Sequence, residues 1–324
     1  MRIAVVGAGA IGAYWGAALH RGGAQVHLIA RGAHLEAMRQ NGVRVLSPRG
    51  DFTARPHVTA DPKEIGQVDY VFLGLKAHSY PNCGPLVEPL LGAETAVVAG
   101  QNGIPWWYFH KLPGPYEGRR IEAVDPGGAT SAVLPPERAI GCVVYPATVI
   151  ESPGVIRHVE GTRFSIGEPS GQVSARCTAL SHAMIAGGLK CPVEAELRDD
   201  IWIKLMGNAS FNPISALTRA TMAQIYEHLP TRNVVARVME EILDIAARVG
   251  SKPEMTVERR LRGAGNVGHH KTSMLQDLEA GKELELDALV TAVVELADIT
   301  GAPAPTLRAV HAATDLLART SACR

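Results

Sequence analysis

The sequence predicts an α/β fold: a doubly wound parallel sheet, followed by an all-helical C-terminal part. Three observations carry that reading. Short apolar runs alternate with helix-like stretches up to about Glu196. A glycine-rich turn, Gly7-Ala-Gly9-Ala-Ile-Gly12, joins the first apolar run to the first helix-like stretch. Beyond Glu196 the apolar residues recur at helical spacing, as in Val234, Val235, Val238, Ile242, Ile245 and Val249, with no strand-like run. Strands that alternate with helices form parallel sheets, because each crossover must return the chain to the same edge. Two domains are therefore expected, residues 1–196 and 197–324.

Element by element, residues 2–6 form a short apolar strand, and an alanine-rich helix follows the glycine turn to about Gly22. A second strand is expected over 25–30. Residues 68–75 are almost continuously apolar after Asp69, the pattern of a central strand buried on both faces. Residues 95–99 read the same way and run into Gln101-Asn102-Gly103. Further strands are expected over 139–145 and 162–166. Around Trp202 a helix begins whose apolar side carries Ile201, Leu205 and Phe211, and Pro213 is expected to kink or end it. Residues 284–296 and 307–317 read as two more helices, with Pro303 and Pro305 between them.

Composition removes several classes of function. The chain has 324 residues, enough for two domains with buried cores. Lys and Arg together number 32, as do Asp and Glu, so the formal charge is zero and there is no single-sign field for nucleic acid. Every long apolar run is interrupted well short of the ~18 residues a membrane span needs. The strand that opens the chain leaves no room for a secretory leader. Five scattered cysteines (Cys83, Cys142, Cys177, Cys191 and Cys323) show no CxxC and suit reduced thiols in the cytoplasm. The expected partner is a small molecule, with no nucleic acid and no membrane. The oligomeric state stays open, a homodimer being one option.

The turn between the first strand and helix has the spacing GxGxxG. Its first glycine permits a tight turn, the second lets the backbone approach a pyrophosphate, and the third lets helix and strand pack closely. Gly7, Gly9, Ala10, Ile11 and Gly12 are thus the expected dinucleotide turn, with the N–H groups of the helix start facing phosphate. The alternative is a turn that only packs tightly. NAD-selective sites carry an acid at the end of the second strand, where this chain has Ala30-Arg31. A cation there would pair with a 2′-phosphate, the alternative being a solvated surface arginine, so NADPH/NADP⁺ is the expected cofactor. Lys76, past the 68–75 strand, is the next cation at that edge.

In the helical part, Lys204, Asn208 and Asn212 fall at i, i+4 and i+8, so one amine and two carboxamides share a helix face. Such a set can hold a small carbonyl-bearing anion and protonate it. Ordinary readings compete: Lys204 as a surface lysine, Asn212 as a capping amide beside Pro213, and Ser273 as the N-cap of a helix through Leu278. His269-His270 lacks a third partner at fixed spacing and reads as loop, with no metal expected. The aromatic run 106–109 reads as packing or a lid, since no basic stripe accompanies it.

Together the glycine turn, Gln101-Asn102-Gly103, Trp202-x-Lys204-x-x-x-Asn208-x-x-x-Asn212-Pro213, Ser273-Met-x-Gln276-Asp277 and Glu285-Leu-Asp287 resemble the ketopantoate reductase family, over nearly the whole chain. The resemblance implies an N-terminal Rossmann domain and a helical C-terminal domain, with the active site between them. It implies Lys204 as general acid with Glu285 as its partner. Asn208 and Asn212 would hold substrate, and Ser273 would hold its carboxylate. Asn102 would lie near both ligands, with Arg31 and Lys76 on the cofactor. The implied reaction is NADPH-dependent reduction of 2-dehydropantoate to (R)-pantoate, on the route to pantothenate and coenzyme A. Two departures bear on the substrate: the long segment after Asn102, with Trp106, Trp107, Tyr108 and Phe109, and Cys142-Val-Val-Tyr145-Pro146 in place of a threonine-rich strand. The alternatives are a reductase of another 2-oxo acid and a non-catalytic NADPH sensor. Lys204 with Glu285 argues against the sensor.

Overall fold

The computed structural model describes residues 1–266 and 268–322. Its strands, in chain order, are β1 (Arg2–Val6), β2 (Gln25–Ile29), β3 (Val43–Leu46), β4 (Phe52–Ala54), β5 (His57–Thr59), β6 (Val68–Leu73), β7 (Leu91–Ala99), β8 (Ala139–Val144), β9 (Ala147–Ser152), β10 (Val155–Glu160) and β11 (Phe164–Gly167). The helices are α1 (Ala10–Arg21), α2 (Gly32–Asn41), α3 (Gly84–Val87), α4 (Ala129–Val133), α5 (Ala175–Ala186), α6 (Leu197–Thr218), α7 (Met222–Glu227), α8 (Leu229–Arg248), α9 (Val257–Asn266), α10 (Ser273–Glu279), α11 (Ala292–Thr300) and α12 (Pro305–Ala322).

The main sheet runs β11-β8-β7-β6-β1-β2-β5, all parallel except β11, which is antiparallel to β8. From β1 the chain first winds outward through β2 and then crosses to β6 on the other side. This reversal is the switch point at which doubly wound sheets bind ligands, and the glycine turn sits on it. The predicted α/β class and all-helical second part are observed. The apolar strands are central because both faces are covered: on one, Trp15 of α1 stacks on Phe72 of β6 at 4.3 Å beside Ile3, Val5, Val98 and Ile140, and on the other Ala4, Val6, Val71, Leu73 and Val97 are fully buried.

A second sheet, β4-β3-β10-β9, is not anticipated by the sequence reading. Its strands are short, and β9 is exposed over its last four residues, so no long apolar run marks it. The expected strand at 162–166 begins two residues late, at Phe164. Two units emerge. One comprises Met1–Gln101, Pro105–Arg120 and Gly127–Leu197, and the other Asn102–Ile104, Ile121–Pro126 and Arg198–Arg324.

The aromatic run is packing within the first unit. Trp106, Trp107, Tyr108 and Phe109 are all buried, and the Trp106 indole donates to the carbonyl of Leu134 at 2.9 Å. Cys83, Cys142, Cys177 and Cys191 are buried and form no disulfide among the described residues, while Cys323 lies outside them. Burial pushes the Cys83 and Cys177 thiols up to about 11 and that of Cys191 to about 12, so these groups pack as neutral thiols.

After β11, Glu168 anchors the start of α5. Its carboxylate accepts from the Ser174 hydroxyl and from Arg176 Nε and Nη2, each at 2.6 Å. Burial pushes this carboxyl up, but the bonds from Arg176 and Ser174 outweigh burial and hold it below the usual carboxylate range. Its contribution to stability is therefore complete above that range and is lost as the pH falls through the lowered value. Glu168→Gln should destabilise the fold by on the order of 2–3 kcal/mol, less than for a fully buried pair because the Arg176 side chain is 32% exposed. Urea unfolding checks this; unchanged stability would reduce the pair to a surface contact.

Candidate active site

Gly7 adopts φ +88°, a conformation only glycine enters freely, and the N–H groups of Gly7 and Ala8 donate to the Ile29 carbonyl at 3.2 and 3.0 Å. A Cβ on Gly12 would collide with the Gly7 carbonyl oxygen. Tight packing thus accounts for the first and third glycines, but not for the second. A Cβ built on Gly9 meets nothing within 4 Å, although Gly9 is the N-cap of α1 and makes no side-chain cap bond. Bare backbone with open space before it, leading into the N–H groups of Ala10, Ile11 and Gly12, fits a pyrophosphate. Arg31 is exposed at the N-cap of α2, just past β2. Lys76 is half-buried and opens the short 3₁₀ turn Ala77–Asn82 after β6.

In the second unit, α6 carries the amine and both carboxamides. Successive members of an i, i+4, i+8 series are offset by about 40° around a helix, so the three side chains follow one gently spiralling face. Lys204 and Asn208 are half-buried, and Asn212 is only 5% exposed. Trp202, Leu205, Met206, Ala209 and Phe211 bury the rest of the helix and fix its rotation. Pro213 neither ends nor caps it: α6 continues to Thr218 with Pro213 inside. Buried neighbours Phe211, Ile214 and Ala216 hold the helix across the missing N–H, and Asn212 is an interior residue, not a cap.

Asn102 belongs to this unit, and Lys204 Nζ donates to its Oδ1 at 2.7 Å. Its loop is pinned from behind. The Ile104 N–H donates to the Ala288 carbonyl at 2.8 Å, and Gly103 has φ +86°. A Cβ on Gly103 would strike the Ala288 carbonyl and come within 2.9 Å of the Leu289 nitrogen. Ala288 lies in a π-helical turn, Asp287–Thr291, so the helix expected from 284 begins later and Glu285, itself half-buried, stands just before it. The loop carrying Asn102 is therefore fastened three residues beyond Glu285. Single π turns of this sort are frequent at functional sites.

Asn212 Nδ2 reaches Ser273 Oγ at 3.5 Å, a long contact that joins α6 to the start of α10. Ser273 is not the N-cap. Thr272 takes that role, accepting from the Leu275 N–H at 3.3 Å, and leaves the Ser273 hydroxyl exposed at the first helical position. His269 and His270 lie in the loop before it.

Arg260 of α9 is not picked out by the sequence reading, which assigns nothing to Glu258-Arg259-Arg260-Leu-Arg262. A Cβ on Gly207 would overlap the Arg260 guanidinium, so the bare backbone one residue before Asn208 makes room for a second cation on α6. The available signal is a glycine in the middle of a buried helix. The face can thus offer an ammonium fixed by an amide oxygen, further amide and hydroxyl groups, and a guanidinium nearby. That is suited to an anion whose oxygen gains charge during reaction.

Family models described as "Ketopantoate reductase PanE/ApbA" and "Ketopantoate reductase PanE/ApbA C terminal" match residues 3–171 and 196–318. A 2-dehydropantoate 2-reductase of Mesorhizobium japonicum is 49% identical over 324 residues, covering 100% of this chain and 99% of its own. The crystal structure of a 2-dehydropantoate 2-reductase from Geobacter metallireducens superposes with TM-score 0.85 at 29% identity, over 98% of this chain and 100% of that one. A D-mandelate dehydrogenase structure reaches 0.82 at 20% identity over 99% of each chain, a likeness of fold alone.

Proposed function

The chain belongs to the ketopantoate reductase family, and on that premise we propose that it reduces 2-dehydropantoate to (R)-pantoate with NADPH. The observation that carries the chemistry is the bond from Lys204 Nζ to Asn102 Oδ1 at 2.7 Å. An ammonium has three N–H donors. With one committed to Asn102, the direction of the others is set before substrate arrives.

When bound, the nicotinamide supplies hydride to the 2-oxo carbon. The Gly7–Gly12 turn holds the pyrophosphate, with Gly9 giving the closest backbone approach, and Arg31 and Lys76 supply cofactor-binding charge. Lys204 stabilises the negative charge growing on the carbonyl oxygen and gives that oxygen its proton, a contribution of roughly 10²–10⁴-fold for acid catalysis. Glu285 partners the lysine. Asn208 and Asn212 hold the substrate, and Ser273 takes its carboxylate at the N-terminus of α10, where free N–H groups favour an anion. The four free cysteines support a reducing, cytoplasmic setting.

NADPH oxidation, followed by absorbance, tests the reading against 2-dehydropantoate and a panel of branched and aromatic 2-oxo acids. Preference for 2-dehydropantoate supports it. Faster turnover of an aromatic 2-oxo acid would move the chain to the alternative, a related reductase. Oxidation with none of them would favour a sensor.

Arg31 sets the cofactor preference. Arg31→Ala should weaken NADPH binding by on the order of 1.5–3 kcal/mol, the strength of one charge-assisted phosphate contact, while NADH binding changes little. Titrating both cofactors decides it; equal losses would show that Arg31 does not read the 2′-phosphate.

A further inference from the structure

We propose that the first unit carries a second anion site, along the C-terminal half of α1 beside the small sheet, built for the phosphoryl group of a small molecule. The pocket holds about 140 Å³ and is lined by Tyr14, Arg21, Ser47, Arg49, Phe52 and Thr162, with the Gly187–Gly188 backbone as one wall. Among the described residues no acidic one lines it. The catalytic reading uses none of these groups.

Three donors line it, Tyr14 and Arg21 from α1 and Arg49 from the turn between β3 and β4. Arg21 is fixed twice: its guanidinium lies 4.1 Å from the Phe52 ring centroid, and its Nη2 donates to the Gly187 carbonyl at 2.6 Å. Glycine is required opposite it, since Gly188 has φ +87° and a Cβ there would come within 2.5 Å of Arg21 Nη2.

Arg49 is presented by the turn between β3 and β4. The Arg49 N–H donates to Ser47 Oγ at 3.1 Å, the Gly50 N–H donates to the Ser47 carbonyl at 3.0 Å, and the Ser47 N–H donates to Asp51 Oδ1 at 2.9 Å. That Asp51 oxygen is thereby held by the turn's own backbone. Ser47 Oγ also meets His158 Nδ1 at 2.9 Å, while His158 Nε2 faces the Gly161 carbonyl. A carbonyl only accepts, so Nε2 carries the hydrogen and, in the neutral ring, Ser47 donates to Nδ1.

Tyr14 is the third donor. It is 4% exposed, and its ring stacks on His158 with centroids 4.7 Å apart. Burial raises its pKa, while the charges of Arg49 and Arg21, which line the same pocket, oppose that rise. A buried phenol in a pocket lined by two arginines gains most from an acceptor that carries negative charge. Two arginines beside a phenol suit a phosphoryl group, with its charge of about −2, better than a singly charged carboxylate.

The test uses full-length protein saturated with NADP⁺, so that the cofactor's phosphate subsites are filled. Inorganic phosphate, glycerol 3-phosphate and acetate are each titrated by calorimetry into wild type, Arg49→Ala and Tyr14→Phe. Arg49 is exposed and Tyr14→Phe keeps the stack, so both variants should fold, which circular dichroism confirms. Saturable phosphate or phosphate-ester binding, weakened at least tenfold in each variant with acetate inert, is the expected result. Tighter binding of the ester than of phosphate would identify an organic phosphate as the ligand, and the reverse would identify the free ion. Absence of saturable binding, equal binding by acetate, or unchanged affinity in both variants would overturn the site. Because the readout is binding and not turnover, its failure is separate from failure of the reductase reading.

Discussion

Lys204→Ala should lower kcat by on the order of 10² or more while NADPH binds almost as in wild type, because the lost group acts on the oxygen that gains charge during reaction. The expected magnitude follows from both of its tasks. The ammonium stabilises the developing charge electrostatically and also delivers a proton, so alanine removes both. Arginine should not rescue the enzyme, since a guanidinium does not release its proton near neutral pH. Steady-state kinetics with a parallel NADPH titration separates chemistry from binding. Normal turnover in the alanine variant would remove Lys204 from the mechanism.

The second large effect belongs to a residue with no functional group. Gly103→Ala forces a side chain into φ +86° and against the Ala288 backbone, neither of which can yield cheaply. Overpacking of this kind costs about 1–3 kcal/mol of stability. The larger consequence is catalytic, because the same loop sets where Asn102 meets Lys204. A displacement of about 1 Å at such a contact can reduce turnover on the order of 10²-fold. Asn102→Ala is the control: it should lose turnover while keeping stability, since its loop remains pinned through the Ile104 N–H. Gly103→Ala with wild-type kcat would show that the loop's seating on the π turn does not position the lysine.

These positions differ in how legible they are from sequence. Lys204, Asn208 and Asn212 announce themselves through one helical period, and the glycine turn through its place between a strand and a helix. Both signals are local, spanning a few turns of chain, and local periodicity is what a sequence displays directly. The partnership of Lys204 with Asn102 spans 102 positions and depends on how a loop packs, which no spacing encodes. Pro213 misleads because its local preference for ending a helix is overridden by the buried residues around it. Thr272 displaces Ser273 as the cap by a single residue, a distinction that rests on backbone angles. The small sheet and Arg260 are harder still. Short exposed strands carry little apolar pattern, and a guanidinium seated on a glycine is a contact between distant helices of one unit.

The most direct measurement of the reaction itself follows the transferred hydrogen. Enzyme, 2-dehydropantoate and NADPH stereospecifically deuterated at one face of the nicotinamide C4 are incubated together, and the product is examined by NMR. With the label on the transferred face, the expected result is one deuterium at C2 of pantoate for each NADP⁺ formed; with the opposite label, C2 carries hydrogen. The Lys204→Ala enzyme should give the same product far more slowly. Unconsumed NADPH with 2-dehydropantoate recovered unchanged, or deuterium lost to water with none at C2 from either label, would contradict the proposed hydride transfer.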